Sequence, residues 1–561
     1  MTRHGAPDRT AVVIGGGISG LATAALLARE GHQVTLLEAR EDVGGRAATW
    51  QSDGFTFDIG PSWYLMPEVF DHFFQLLGTT TAEQLDLVRL DPAYRVYYEK
   101  HDPLDVRSDV EDAVRLFEEV EPGAGARLRE YLDSASDTYT TALQYFLYTT
   151  FASLLPLAKA DVTTRAPRLA KLLTQSLEKR IHATAQDTRL RQILGYPAVF
   201  LGSAPSLTPS MYHLMSHLDL VDGVLYPQGG FGTLITAIRD LAIAEGVEVR
   251  TGAEVLAITT EPTGRVGGSE RRGLPGHRKA RATGVRYSDS EGVHELAAEV
   301  VVSTADLHHT ERDLLPPHLR SHSRRWWDKQ VPGPSTVMIY LGVEGELPEL
   351  AHHSLFFAEN WDETFDRIFA PRDEGPVVMP DPTSVYVSRV TATDPDAAPA
   401  GHENVVVLVP VPPDERLGRG GIDGAGDPWV EKVADAAISQ LAAWAGIPDL
   451  AARVVVRRTV GPGDWAGDLN SWRGTALGPA HTLRQSAMFR AGNVSRRVEG
   501  LYLAGGSVIP GIGLPMCLIS AELVVKRLRG DTSTGPLPEP LAPPRHVVAP
   551  GPGQPPPAGA A

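Results

Sequence analysis

Gly15, Gly17 and Gly20, followed by an acidic side chain at Glu38, carry the spacing in this chain best suited to holding a dinucleotide. Gly15 permits a tight turn, Gly17 lets the backbone touch a pyrophosphate, and Gly20 lets a helix pack close to a strand. The carboxylate of Glu38 is placed to accept hydrogen bonds from a ribose 2′-hydroxyl. That favours an unphosphorylated ribose, as in FAD or NAD, over NADP. These residues act only if regular elements hold them. Ala11 to Ile14 reads as a buried parallel strand, an Ala/Leu-rich helix follows the turn directly, and Val34 to Leu37 reads as a second strand ending on Glu38. The helix N-terminus then faces the phosphates with unpaired N–H groups and a partial positive charge.

The chain has 561 residues, enough for two or three intertwined domains. Its 42% apolar content is that of a folded globular protein. A net charge of −17 argues against nucleic acid as the main partner, because phosphate backbones bind basic surfaces. It leaves a membrane surface open, since local charge departs from the total. The single cysteine, Cys517, excludes an intrachain disulfide or a CxxC redox pair. No secretory signal precedes the first strand, and no run of about 18 apolar residues offers a membrane span, so a cytoplasmic protein is expected.

Residues 262–281 are Gly/Arg-rich between the strand-like runs Glu254–Thr259 and Thr283–Tyr287, and read as a solvated hairpin extension. Pro412–Pro428 is a second loop, rich in Gly and Asp. The middle region, about Val114 to Leu220, reads as mostly helical. Within it Tyr145–Lys159 is aromatic and leucine-rich, suited either to the membrane interface or to an ordinary core helix. Beyond Asp531 the Pro/Gly/Ala-rich chain has few large apolar side chains, and 532–561 is expected to be a disordered tail. The adjacent His352 and His353 lie on a strand-like run with side chains expected on opposite faces and no partners at ligand spacing, so no metal site is expected. Trp465 and Trp472 are candidates to line a cavity.

Gly44-Gly45-Arg46 and Gly54-Phe-Thr-Phe-Asp-Ile-Gly60 follow Glu38 closely. A Gly-Gly-Arg at this distance resembles the flavoprotein amine oxidase superfamily, in which that loop approaches the flavin diphosphate. Arg46 then offers a guanidinium to phosphate oxygens, and FAD is preferred to NAD. Tyr226–Gly232, Tyr-Pro-Gln-Gly-Gly-Phe-Gly, resembles the superfamily's turn beside the flavin. Near the C-terminus, Ala504-Gly505-Gly506-Ser-Val-Ile-Pro-Gly511 and the following Leu514-Pro515-Met516 carry a closer resemblance, to the bacterial-type phytoene (carotenoid) desaturases, from about Thr10 to Leu528. That resemblance implies an FAD site built from Gly15, Gly17, Gly20, Glu38, Gly45, Arg46, Gly60, Val255, Gly505, Gly506, Leu514, Pro515 and Met516. The expected fold is α/β. A Rossmann-like FAD-binding domain (10–85, 222–310 and 495–531) is interleaved with a substrate domain (86–221 and 311–494) that joins a mixed sheet to a helical membrane-associating region.

The activity implied is FAD-dependent desaturation of phytoene, stepwise towards lycopene. A new double bond costs a hydride and a proton from adjacent carbons, and FAD accepts a hydride at N5 where side chains cannot. No NAD(P)H site is apparent, so quinone or O2 is the expected oxidant. Asp161 and Arg165 are the nearest match to an Arg/Asp cluster suggested as acid/base in the family, with the acid shifted one place; a solvated helix-end pair is the competing reading. Where relatives commonly carry Gly-Ala-Gly-Ile-Pro-Gly, this chain has Gly511-Ile-Gly-Leu-Pro-Met516, so Ile512 and Met516 narrow the space beside the flavin. A C40 hydrocarbon prefers lipid to water by on the order of 30 kcal/mol, at about 0.8 kcal/mol per carbon. The expected partners are therefore a hydrophobic polyene and a membrane surface, with the protein peripheral on the inner face of the cell membrane. Tyr145–Lys159 is the candidate docking face and Tyr196–Leu201 a candidate tunnel wall. A dehydrosqualene desaturase, an isomerase, a ketolase, an amine oxidase and a non-catalytic prenyl-binding escort remain alternatives. No paired C-terminal tyrosines suit an amine cage, and intact Gly17, Glu38 and Arg46 weigh against the escort.

Overall fold

The computed structural model describes residues 9–60, 62–153, 166–263, 280–370 and 376–542. Its dinucleotide-type half is a five-stranded parallel sheet. The order is Leu501–Leu503, Val300–Ser303, β1 (Thr10–Ile14), β2 (Gln33–Leu37) and Glu248–Arg250. β1 and Val300–Ser303 are apolar runs because helices and a second sheet cover both their faces. α1 (Ile18–Arg29) is buried from Ile18 to Leu27, and its alanines admit close neighbours, chiefly Phe231–Ala244 and the C-terminal helix Leu514–Arg529. An antiparallel sheet of Glu254–Pro262, Ala280–Asp289 and Gly292–Ala297 covers the other side. Residues 264–279 of the expected hairpin extension lie outside the described residues.

The second half is a mixed seven-stranded sheet. Its order is Val454–Val460, Ser335–Glu344, His402–Val411, Val385–Arg389, His353–Phe357, Tyr94–Tyr98 and Leu104–Val106. Only the pairing of His353–Phe357 with Tyr94–Tyr98 is parallel. Strand alternation divides its two faces. Val337, Ile339, Leu341 and Val343 pack under the helix Pro428–Ala445, whereas Met338 and Tyr340 pack with Phe55, Phe57 and Trp465. α2 (Ala124–Ala142) and shorter helices form a third layer, and α2 continues into a π-helical turn at Leu143–Leu147.

Two expectations change here. The tail is ordered to residue 542: Leu537 and Leu541 are 3% and 1% exposed. Few apolar side chains suffice because α3 (Leu514–Arg529) supplies the polar anchors. Lys526 Nζ donates to the carbonyls of Ser533 (2.9 Å) and Gly535 (2.6 Å), and Leu537 N–H donates to Glu522 Oε1 (2.6 Å). Residues 543–561 lie outside the described chain. His352 and His353 also do not take opposite faces as neighbours on a strand, because the strand begins at His353; their ring centroids are 4.5 Å apart, and both are buried.

Candidate functional site

The parallel strands bring their carboxyl ends to one cavity of about 560 Å3, the position at which open α/β sheets place ligands. Gly15 and Gly17 follow β1, Glu38 follows β2, and Thr304–Asp306 and Gly505–Gly506 follow the next two strands; all line it except the intervening Gly16. Gly45, Arg46, Gly60 and Val255 line the same end. So do Leu514, Pro515 and Met516 from the first turn of α3. Gly20 does not face the cavity. A Cβ there would stand 1.9 Å from Gly15 O, so its hydrogen is what lets α1 meet the turn.

The turn's geometry follows from its glycines. Gly15 has φ +98°, a backbone conformation that side chains resist. At Gly17 the position of an absent Cβ meets only Gly44 O, at 3.9 Å, leaving open space beside the backbone. Glu38 is buried, with Oε2 accepting from Gly16 N–H (2.5 Å) and Oε1 from Arg40 N–H (3.0 Å). Its remaining lone pairs are available to a hydroxyl partner. Arg46 donates from Nη2 to Ser471 Oγ (2.6 Å), while its buried Nε has no partner in the protein. An orphaned guanidinium nitrogen beside a glycine cradle and a helix N-terminus fits a diphosphate group well. Burial pushes the nearby Cys517 thiol up to about 11, so it is no reactive thiolate.

Thr304, Ala305 and Asp306 were not legible as site residues. Thr304 Oγ1 donates to Ile14 O (2.9 Å) and braces the glycine turn, while Asp306 caps the helix Leu307–Arg312 through His308 N–H. Their signal was a buried strand, Val300–Ser303, running into an N-cap. Conversely, Tyr226–Gly232 does not line the cavity. Its Gly229 and Phe231 N–H groups donate to Asp394 Oδ2 (2.7 Å) and Asp58 Oδ2 (3.0 Å), and burial pushes the Asp58 carboxyl up to about 7.

Away from the glycine turns the cavity becomes apolar. Tyr196, Val199, Phe200 and Leu201 form one wall, Leu355, Phe357, Trp361 and Phe365 another. Ile512, Met516 and Trp465 also face it, whereas Trp472 packs against Trp327. Phe146, Leu147, Thr149 and Phe151 line it too, so the described half of Tyr145–Lys159 turns inward. Leu154–Lys159, and with them Asp161 and Arg165, lie outside the described residues.

Polar groups in this apolar wall fall into small sets. Tyr386 OH bonds both Ser62 Oγ (2.6 Å) and His353 Nδ1 (2.8 Å), and His353 stacks on Trp63 at 4.5 Å. Burial, then the neighbouring His352, keep His353 neutral far below its ordinary range. His481 lines the cavity with both ring nitrogens unpartnered, and burial holds it neutral as well. Tyr196 OH donates to the buried Asp219 (2.7 Å), which Tyr94 OH also reaches (3.1 Å).

Comparison with known proteins agrees with this geometry. The family model of flavin containing amine oxidoreductases matches residues 18–529. A carotenoid 3,4-desaturase of Haloarcula japonica is 39% identical over 519 residues, 92% of this chain and 98% of that one. A zeta-carotene-forming phytoene desaturase of Myxococcus xanthus is 34% identical over 525 residues, covering 93% and 94%. Among solved structures, an oxidoreductase from Methanosarcina mazei superposes with a TM-score of 0.55 at 17% identity, over 92% of this chain and 100% of that one, a likeness of fold alone.

Proposed function

This chain belongs to the flavin containing amine oxidoreductases, and among them to the phytoene-desaturase-like flavoenzymes; from that premise we propose that it is an FAD-dependent desaturase of an acyclic carotenoid. The observation that carries the reading is one cavity that begins at the Gly15–Gly17 turn and Glu38 and continues between apolar and aromatic walls. FAD, when bound, supplies hydride acceptance. Glu38 would hold its ribose, and Arg46 with the N-termini of α1 and α3 its diphosphate. The apolar walls orient the polyene and exclude water. Phytoene, taken stepwise towards lycopene, is the first substrate reading. The 39% identity to a carotenoid 3,4-desaturase favours a second, in which the new double bond lies at the 3,4 position of a longer polyene.

Pigment extraction separates these readings. Expressed in a phytoene-accumulating host, the chain is expected to yield polyenes absorbing at longer wavelength. Conversion only in a lycopene-accumulating host supports the second reading, and unchanged pigment in both hosts, with FAD-loaded protein present, rejects the activity. Quinone or O2 completes the cycle as oxidant. The substrate's partition into lipid also places the protein on a bilayer surface; no helix among the described residues is long and apolar enough to cross one. Sedimentation with anionic phospholipid vesicles tests this, with Leu154→Asp/Leu155→Asp expected to stay in the supernatant. Unchanged co-sedimentation of that variant removes the docking role of Tyr145–Lys159.

A further inference from the structure

Desaturation releases a proton as well as a hydride, and the apolar cavity offers few places for it. We propose that Asp219, acting through the hydroxyl of Tyr196, accepts the proton lost from the polyene. This rests on the desaturase reading. Tyr196 stands in the cavity wall and donates its hydroxyl hydrogen to Asp219 Oδ2 at 2.7 Å, while Tyr94 OH holds the same oxygen at 3.1 Å. Asp219 is 2% exposed, and its Oδ1 has no hydrogen-bond partner in the protein.

Such an arrangement costs stability, because a buried carboxylate loses hydration that hydroxyls replace only in part. Asp219 sits in a π-helical turn, Leu218–Asp222, and a second such turn, Leu143–Leu147, forms the neighbouring cavity wall. Single-turn π segments interrupt helices frequently at functional sites. Trp63 packs on both tyrosines, with ring centroids 5.5 Å from Tyr94 and 5.9 Å from Tyr196, and itself lines the cavity between Ser62 and Leu65.

The step balances as follows. A bound FAD would take up the hydrogen of one carbon of a CH–CH unit together with its C–H electron pair. The proton of the adjacent carbon passes to the Tyr196 oxygen as the Tyr196 hydrogen passes to Asp219 Oδ2. The electron pair of the second C–H bond becomes the new π bond. Burial pushes the Asp219 carboxyl up to about 7, against the lowering effect of the two hydroxyls, so near neutral pH it both accepts and gives up a proton. The groups facing it are Tyr94 from its strand, Tyr196 from the short helices and Tyr131 from α2, with Arg180 lying beyond the Tyr131 ring. No cationic side chain pairs with it among the described residues. His353 and His481 are the competing bases, but their burial resists the cationic form. Tyr139, also in the wall, donates to the exposed Glu68 and is a third competitor.

The test compares the FAD-loaded wild type with Asp219→Asn, Tyr196→Phe and Tyr139→Phe in turnover of a vesicle-embedded polyene across pH. Flavin content and melting temperature are recorded for each. Wild-type kcat is expected to rise with pH through about 7 as the carboxyl ionises. Asp219→Asn and Tyr196→Phe are expected to lose that limb and about 100-fold or more in kcat, with flavin content unchanged. Infrared titration gives a readout independent of turnover: the carboxyl absorption ionising near 7 in the wild type, to which Asp58 also contributes, loses one component in Asp219→Asn and keeps both in Tyr139→Phe. If Asp219→Asn does not fold, Tyr196→Phe carries the test, because it keeps ring volume and leaves Asp219 its bond to Tyr94. Wild-type rate and pH limb in Tyr196→Phe, or loss confined to Tyr139→Phe, overturn the proposal. A wild type that turns over no polyene at any pH rejects the desaturase reading and this proposal together.

Discussion

Gly20 and Glu38 show how much a single position decides. A methyl at Gly20 would lie 1.9 Å from the carbonyl oxygen of Gly15, a backbone atom that cannot rotate away. Gly20→Ala is expected to destabilise the fold by about 3 kcal/mol or more, the upper end of overpacking costs, as measured by urea denaturation. A loss below about 0.5 kcal/mol would mean that α1 does not press on the turn. Besides the ribose bond proposed for it, Glu38 accepts from the Gly16 and Arg40 N–H groups. Glu38→Ala is expected to weaken FAD binding about 10- to 100-fold, the worth of a charged hydrogen bond, read by flavin fluorescence on titration of the apoprotein. Undiminished affinity would remove the ribose-anchor role. These positions were legible because each answers one local backbone demand. Tyr196 was legible only as part of a tunnel wall; its meeting with Asp219 and Tyr94 was not, because it joins a strand to two helical segments separated in sequence, and no spacing rule records that.

At the scale of elements, α3 runs from the glycine-turn end of the cavity to the segment that carries Phe146, Leu147, Thr149 and Phe151. Its first turn lines the cavity, and near its other end Lys526 and Arg527 hold the carbonyls of Tyr148 and Thr150. The same helix fastens the C-terminal strap, where His72 lies between Glu522 and Glu539. Burial pulls the His72 imidazole down, but the two carboxylates together outweigh it, and the net shift is upward. A histidine whose folded pKa is raised contributes stability that is complete below its unfolded value of about 6.5 and is lost as pH rises through the folded value. Melting temperature is therefore expected to fall as pH rises above about 6.5, and that component to vanish in His72→Gln. A pH profile identical in the two proteins would dissociate His72 from the strap. The strap was misread because composition counts its few apolar side chains and not the buried Lys526 and Glu522 that satisfy its backbone. Strand β1 was legible for the opposite reason, since burial on both faces writes a continuous apolar run from Ala11 to Ile14. The π-helical turns have no such signature, because a one-residue excess leaves the apolar pattern of a helix nearly unchanged.

For the molecule as a whole, the parallel sheet and the seven-stranded sheet come from segments dispersed along the chain and share one cavity between them. The glycine and strand pattern was enough to bring Gly15, Gly17 and Glu38 to one end of the cavity; of the apolar end, Tyr196–Leu201, Trp465, Ile512 and Met516 were legible, whereas Leu355, Phe357, Trp361 and Phe365 come from a strand and a helix that read as ordinary core. Desaturation as proposed has a flavin at the Gly15–Glu38 end remove hydrogen from a polyene in the apolar end. Its most direct measurement is anaerobic mixing of purified, FAD-loaded protein with vesicles carrying phytoene or lycopene, followed at the flavin and polyene absorption bands. The flavin band is expected to bleach only in vesicles carrying a polyene, with a longer-wavelength polyene appearing in equal amount. A flavin that stays oxidised with both polyenes, in protein shown to hold FAD, would contradict it.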